Sequence, residues 1–202
     1  MTRTWLRVAG LMLAALASSR SLPAQTAKLD RQGMWWGVGV GAGMNRLGCN
    51  ICRGSREISY SATGQLGGTV GRGLRLGAEV TGWLKSDTTS DVSKRLGVVS
   101  GVLLWSPARG RIPYFIKGGA GLILYRAKDR TVPDGQDPDR VTSTAFQGQF
   151  GVGYEFPIGT RWAFSPFLNF VGSFFSQLRF NGTDLTKGNI TFIQLGASVT
   201  HF

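Results

Sequence analysis

Cysteine, histidine and acidic residues are all scarce in this 202-residue chain. No apolar run reaches the roughly 20 residues that a membrane-spanning helix needs. The two cysteines, Cys49 and Cys52, are too few for a disulfide scaffold. With one histidine, His201, they also fall short of a metal site, which would need about two more soft ligands. No cofactor is implied. A single histidine restricts nucleophilic catalysis too, because a serine or cysteine nucleophile needs a base within hydrogen-bond reach. Eleven acids against 23 Lys and Arg give a formal net charge of +12. Such a balance often marks nucleic-acid binding, but here the basic residues are not clustered on a helix.

The N-terminus resolves the compartment. Arg3 and Arg7 precede an uncharged stretch, Val8 to Ala17, and the small residues from Ser18 to Ala24 then supply a cleavage site after Ala24. This is the layout of an export signal, and its apolar stretch is too short to remain as an anchor. Residues 1–24 are therefore expected to be a signal peptide and 25–202 the mature domain. Three of the 23 basic residues (Arg3, Arg7 and Arg20) and none of the 11 acids fall in the leader, so the mature charge is +9. Export excludes nucleic acid as a partner and takes the two cysteines to an oxidising compartment.

The mature chain is built on alternation. Apolar residues recur at every second position in segments of about ten residues, the pattern of a membrane β-barrel. Trp36, Val38, Val40, Ala42 and Met44 alternate with four glycines; Ala62, Leu66 and Val70 alternate with Thr63, Gln65 and Thr69. Leu74, Leu76, Ala78, Val80 and Leu84 oppose Arg75, Glu79, Thr81 and Lys85. The fourth segment places Leu96, Val98, Val102 and Leu104 on the apolar face; the fifth places Tyr114, Ile116, Ala120, Leu122 and Leu124 there, opposite Lys117. Phe146, Phe150, Val152 and Tyr154 oppose Gln147, Gln149 and Glu155; Trp162, Phe164, Leu168, Phe170 and Phe174 oppose Ser165, Asn169 and Gln177. Last, Ile193, Leu195, Ala197 and Val199 oppose Gln194, Gly196 and Ser198. Eight segments are an even number, as a single-chain bacterial barrel requires.

Connector lengths alternate as well. Short turns fall at Gly71 to Gly73, Ser106 to Arg111 and Pro157 to Arg161, and longer polar loops between them include Asp129 to Val141 and Asn181 to Asn189. Short periplasmic turns and long external loops give that asymmetry, with both termini in the periplasm. A soluble barrel alternates too, but it turns a charged face to water. Here the polar face is mainly Gly, Ser, Thr and Gln, and the apolar face carries no charge across the segments, where each Lys or Arg would cost roughly 2–4 kcal/mol at mid-bilayer. Aromatics gather at the segment ends: Trp35, Trp36, Trp105, Tyr114, Tyr154 and Trp162 toward the short turns, and Trp83, Tyr125, Phe174 and Phe180 toward the long loops. That distribution suits two interfacial belts.

With eight segments, this loop asymmetry and a terminal aromatic, Phe202, the mature chain resembles the small outer-membrane β-barrel family, typified by outer membrane protein X and the transmembrane domain of outer membrane protein A. The resemblance implies an all-β, eight-stranded antiparallel transmembrane barrel in the bacterial outer membrane. It also implies that Phe202 is read by the barrel-assembly machinery as an assembly signal. The apolar set ending at Val199 is out of step with Phe202, which implies a bulge near Thr200 and His201 or a weaker signal. The family includes adhesion, structural and lipid-modifying members, so membership alone gives no activity.

Four local features remain. Cys49-Asn50-Ile51-Cys52 in the first loop reads as a small disulfide, because a redox role would want a thioredoxin-like context. The Gly37 to Gly43 run is strictly period two and leads into no helix, so it is not a phosphate loop. Basic residues of the external loops and rims, Arg46, Arg53, Arg56, Lys85, Lys94, Arg95, Arg126, Lys128, Arg130, Arg179 and Lys187, form either an ordinary solvated rim or contacts to lipopolysaccharide phosphates. Finally, Arg75, Glu79, Lys117 and Glu155 should point into the lumen, a narrow space that side chains can fill. Buried charges persist when paired, so they are expected to form a polar plug with Gln65, Gln147, Gln149 and Asn169. The leading functional expectation is a monomeric, non-enzymatic structural or surface-interaction protein whose partners are membrane lipid and the assembly machinery. A narrow conduit for small solutes or ions is the alternative, and a lipid-modifying enzyme a distant third.

Overall fold

A computed structural model describes residues 29, 31–49, 56–71, 73–87, 92–107, 113–129, 140–181 and 183–202. The expected leader, residues 1–24, lies outside them. Among the described residues nine strands follow in chain order: β1 (Met34–Cys49), β2 (Glu57–Gly71), β3 (Leu74–Asp87), β4 (Val92–Trp105), β5 (Tyr114–Asp129), β6 (Arg140–Tyr154), β7 (Phe156–Ile158), β8 (Trp162–Phe180) and β9 (Thr183–His201). Consecutive strands from β1 to β6 pair antiparallel, as do β8 and β9; β1 pairs with β9, and β8 also pairs with β6. The ring therefore closes on eight staves, with β7 continuing β6 past Glu155 to pair with the foot of β8. Closure leaves the eight staves without an open edge, the condition for strands to cross a bilayer.

Turn chemistry follows local demand. Gly73 (φ 80°) and Gly159 (φ 75°) supply left-handed backbone at two of the short turns. Asn181 (φ 47°) does so between β8 and β9, where Phe180 pairs directly with Thr183. The expected long loop from Asn181 to Asn189 is thus absent. A tight connection at Asn181 replaces it, and strands of 19 residues continue through that sequence.

The outer wall is apolar around the ring, with Val40, Leu66, Val80, Phe146, Phe170 and Leu195 all exposed. A contiguous patch of this extent far exceeds what a protein presents to water, so lipid covers it. At the periplasmic foot Trp36, Trp162 and His201 pack together, with Trp162 edge-on to His201 at 4.7 Å and to Trp36 at 5.5 Å.

Strand β4 is turned opposite to expectation. Leu96, Val98, Val102 and Leu104 are at most 2% exposed and point into the lumen, while Val99, Leu103 and Trp105 meet lipid. Both faces of β4 are apolar, and a one-residue change of phase exchanges them. Three aromatics assigned to the belts, Trp35, Trp83 and Tyr125, are also inside. Irregular pairing of β8 with β9 between Gly172 and Ser176 shifts the phase again, so Gln177 is exposed and Leu178 buried.

Candidate functional site

The lumen is filled in layers. At the periplasmic end, Glu155 sits in the break between β6 and β7, fixed by its amide donating to Pro113 O at 2.6 Å. One carboxylate oxygen meets Arg75 Nη2 at 2.6 Å, and the other meets Arg31 Nη2 at 2.6 Å. The Arg75 guanidinium is surrounded by the rings of Phe202, Trp35 and Phe115 at 5.1, 5.6 and 5.9 Å. These rings join Val102, Leu104, Ala163 and Phe167 in a lower apolar cluster, on which Leu29 also packs. Cation–π attraction offsets part of the cost of holding Arg75 away from water.

The middle layer is polar. Lys117 Nζ donates to both oxygens of Glu79 at 2.9 and 2.6 Å, and Gln149 Nε2 donates to Glu79 Oε1 at 3.2 Å. Gln147 donates to Ser100 at 2.6 Å, and Ser100 donates to Gln149 at 3.3 Å. Across the lumen, Asn169 donates to Gln194 at 3.2 Å and Gln194 to Ser61 at 3.0 Å. Gln65 lies half-buried beside Glu79 on the paired strand.

Above this comes a second apolar cluster built on Trp83, Phe192, Ile123, Ile190 and Leu96. Trp83 Nε1 donates to Gly43 O at 2.8 Å. A Cβ on Gly43 would lie 2.5 Å from Phe192 and 2.7 Å from Trp83, so Gly43 makes room for two large lumen side chains. Higher still, Glu57 pairs with Lys94 and, at 3.7 Å, with Lys85.

Arg75, Glu79, Lys117 and Glu155 therefore all lie inside, in two separate pairs at two heights. Sequence reasoning missed Arg31, which precedes the first strand and so carries no alternation signal. Gln194, placed by alternation on the polar face of β9, joins the plug through Asn169 and Ser61, a role not assigned to it from the sequence. Phe202 is 6% exposed and points into the barrel. The register of β9 with β1 runs unbroken from Trp36–His201 upward, so the expected bulge at Thr200 and His201 is absent; Phe202 is out of step with Val199 because it belongs to the lumen face. Its amide donates to Arg161 O at 2.8 Å. The expected disulfide lies outside the described residues: Cys49 ends β1, while its side chain and Cys52 are not described.

No family model matches this chain, and no curated protein sequence matches it. Solved structures do. The attachment invasion locus protein Ail of Yersinia pestis superposes with a TM-score of 0.56 at 10% identity, covering 84% of this chain and 99% of Ail. Neisserial surface protein A superposes with a TM-score of 0.52 at 16% identity, covering 82% of this chain and 96% of that one. At these identities the likeness is one of fold. Closed on eight staves and walled with apolar outward residues, the chain has the fold of the small outer-membrane β-barrel proteins.

Proposed function

We propose that this protein acts as a closed, non-conducting barrel with a structural or surface-interaction role, and not as an enzyme. The observation that carries the reading is the filled lumen: two ion-paired layers, Arg31–Glu155–Arg75 and Lys117–Glu79, with apolar clusters packed around the first and above the second. An eight-stranded interior is just wide enough for side chains to occupy, and these occupy it. Catalysis by a serine and an imidazole near the outer leaflet has no support, since the one histidine stands on the outer wall at the opposite rim between Trp36 and Trp162. Attachment, the role in Ail's name, is one form that a surface role can take.

Planar-bilayer recording of the refolded mature protein tests this. The expected record shows no steady openings. Reproducible channels of a single size would reject the closed barrel and promote the conduit.

A further inference from the structure

The outer wall changes character at one height. On β1 the outward positions run from Met34 through Val38 and Val40 to Met44, and the next outward residue is Arg46. Ten residues at about 3.3 Å each, tilted roughly 40°, rise about 25 Å, the height of a barrel's apolar band. Arg46 thus stands at the headgroup level of the outer leaflet, on the side away from the chain termini. Its neighbours do the same. Arg56 precedes β2 beyond Ile58, Arg95 lies beyond Val99 on β4, and Arg126 lies beyond Leu124 on β5.

Among the residues whose side chains are described, the outward positions of this ring carry one sign of charge. The described glutamates, Glu57, Glu79 and Glu155, all point into the lumen, and among the described residues no carboxylate pairs with these arginines. Cross-strand pairing makes the matter sharper. Arg95 lies directly opposite Arg126, and Lys128 directly opposite Arg140. Like charges in directly opposed positions destabilise a sheet unless something neutralises them. Between β1 and β9, moreover, the wall holds a small groove lined by Arg46, Arg56 and Thr191 above Met44 and Ile193. Its upper part presents two guanidiniums and a hydroxyl, and its floor is apolar.

We propose that this ring binds the phosphates of the phosphorylated glycolipid of the outer leaflet, with Arg46 and Arg56 holding one phosphate in the groove. Guanidinium forks match phosphate oxygens and form charge-assisted hydrogen bonds. Met44 and Ile193 then receive the beginning of an acyl chain, which a free phosphate could not use. The opposed pairs on β4, β5 and β6 have their repulsion relieved by the same lipid phosphates. The proposal is independent of whether the lumen conducts.

The test uses the mature chain refolded in neutral detergent and in phosphatidylcholine vesicles containing either lipid A or phosphatidylglycerol at matched charge. The midpoint of thermal unfolding is read in each. Lipid A should raise the wild-type midpoint more than phosphatidylglycerol does. R46Q/R56Q should need at least about tenfold more lipid A for the same shift, the loss of roughly one charge-assisted hydrogen bond. R161Q, which removes a cation at the opposite rim, should respond as wild type. R95Q/R126Q carries a sign reversal: it should melt above wild type in neutral detergent and below it with lipid A. Equal responses to the two anionic lipids, or R46Q/R56Q responding as wild type, would overturn the proposal. So would a change of the same sign for R95Q/R126Q in both media.

Discussion

Replacing Glu79 by Gln removes one charge from the middle of the lumen and little else. Volume is kept, and the new amide can still meet Gln149. Lys117, only 4% exposed, is left charged without its carboxylate partner. Removing one member of a buried ion pair costs about 3–5 kcal/mol, because the survivor stays desolvated. The ring of Phe167, 5.8 Å from Lys117 Nζ, is there before and after the change and so leaves the difference unaltered. The loss should therefore be about 3–5 kcal/mol. Urea unfolding in phosphatidylcholine vesicles measures it, with the lumen tryptophans Trp35 and Trp83 as reporters. The double variant E79Q/K117M replaces both charges by groups of similar size, and it should lie within about 1 kcal/mol of wild type. A cycle of the four proteins isolates the coupling. If E79Q stays within about 0.5 kcal/mol of wild type and the two changes add, Lys117 does not depend on Glu79 and the pair is no structural joint.

Other outcomes follow from the periplasmic end and the first loop. Arg75→Ala should destabilise more than Arg31→Ala, because the Arg75 side chain is 2% exposed and the Arg31 side chain 21%; the reverse order of unfolding midpoints would contradict the layering. Deleting Phe202 should lower the amount of heat-modifiable barrel in the outer membrane without reducing export, and a fully assembled deletion would remove its role as an assembly signal. Replacing Cys49 and Cys52 by Ser should leave the barrel assembled, and in the native protein the pair should be oxidised to one another. Thiol labelling of both in freshly isolated protein would show that they are not.

The number of staves, their order and the lumen charges were legible because alternation carries phase wherever one face bears a charge. Arg75 and Glu79 orient β3, and Lys117 orients β5. Strand β4 has no such marker. Its two candidate faces, Leu96-Val98-Val102-Leu104 and Val99-Leu103-Trp105, are equally apolar, and only packing against Ile123 and Phe192 decides between them. Trp35 and Trp36 pose the same problem at the foot of β1. One of two adjacent indoles must enter the lumen, and composition does not say which. Arg31 was illegible for a different reason. It lies outside any strand, and its contact with Glu155 joins positions far apart in the chain, a pairing that no local pattern records.

The apolar layers that concealed the phase of β4 also determine what breaking the charge pair can do. Above Lys117 and Glu79 lies the cluster around Trp83 and Phe192, and below them the cluster around Trp35, Phe115 and Phe202. Ions would have to cross both clusters as well as the polar layer, and the side chains of the two clusters do not depend on Glu79 for their packing. Loss of the middle charge pair should therefore cost stability while leaving the barrel closed. The expectation is that E79Q unfolds at lower urea than wild type and yet shows no steady openings in a planar bilayer. In a lumen held shut by its ion pair alone, the two effects would arrive together. Steady conductance in E79Q, absent from wild type, would place the barrier at the charge pair and assign the apolar layers no part in closing the barrel.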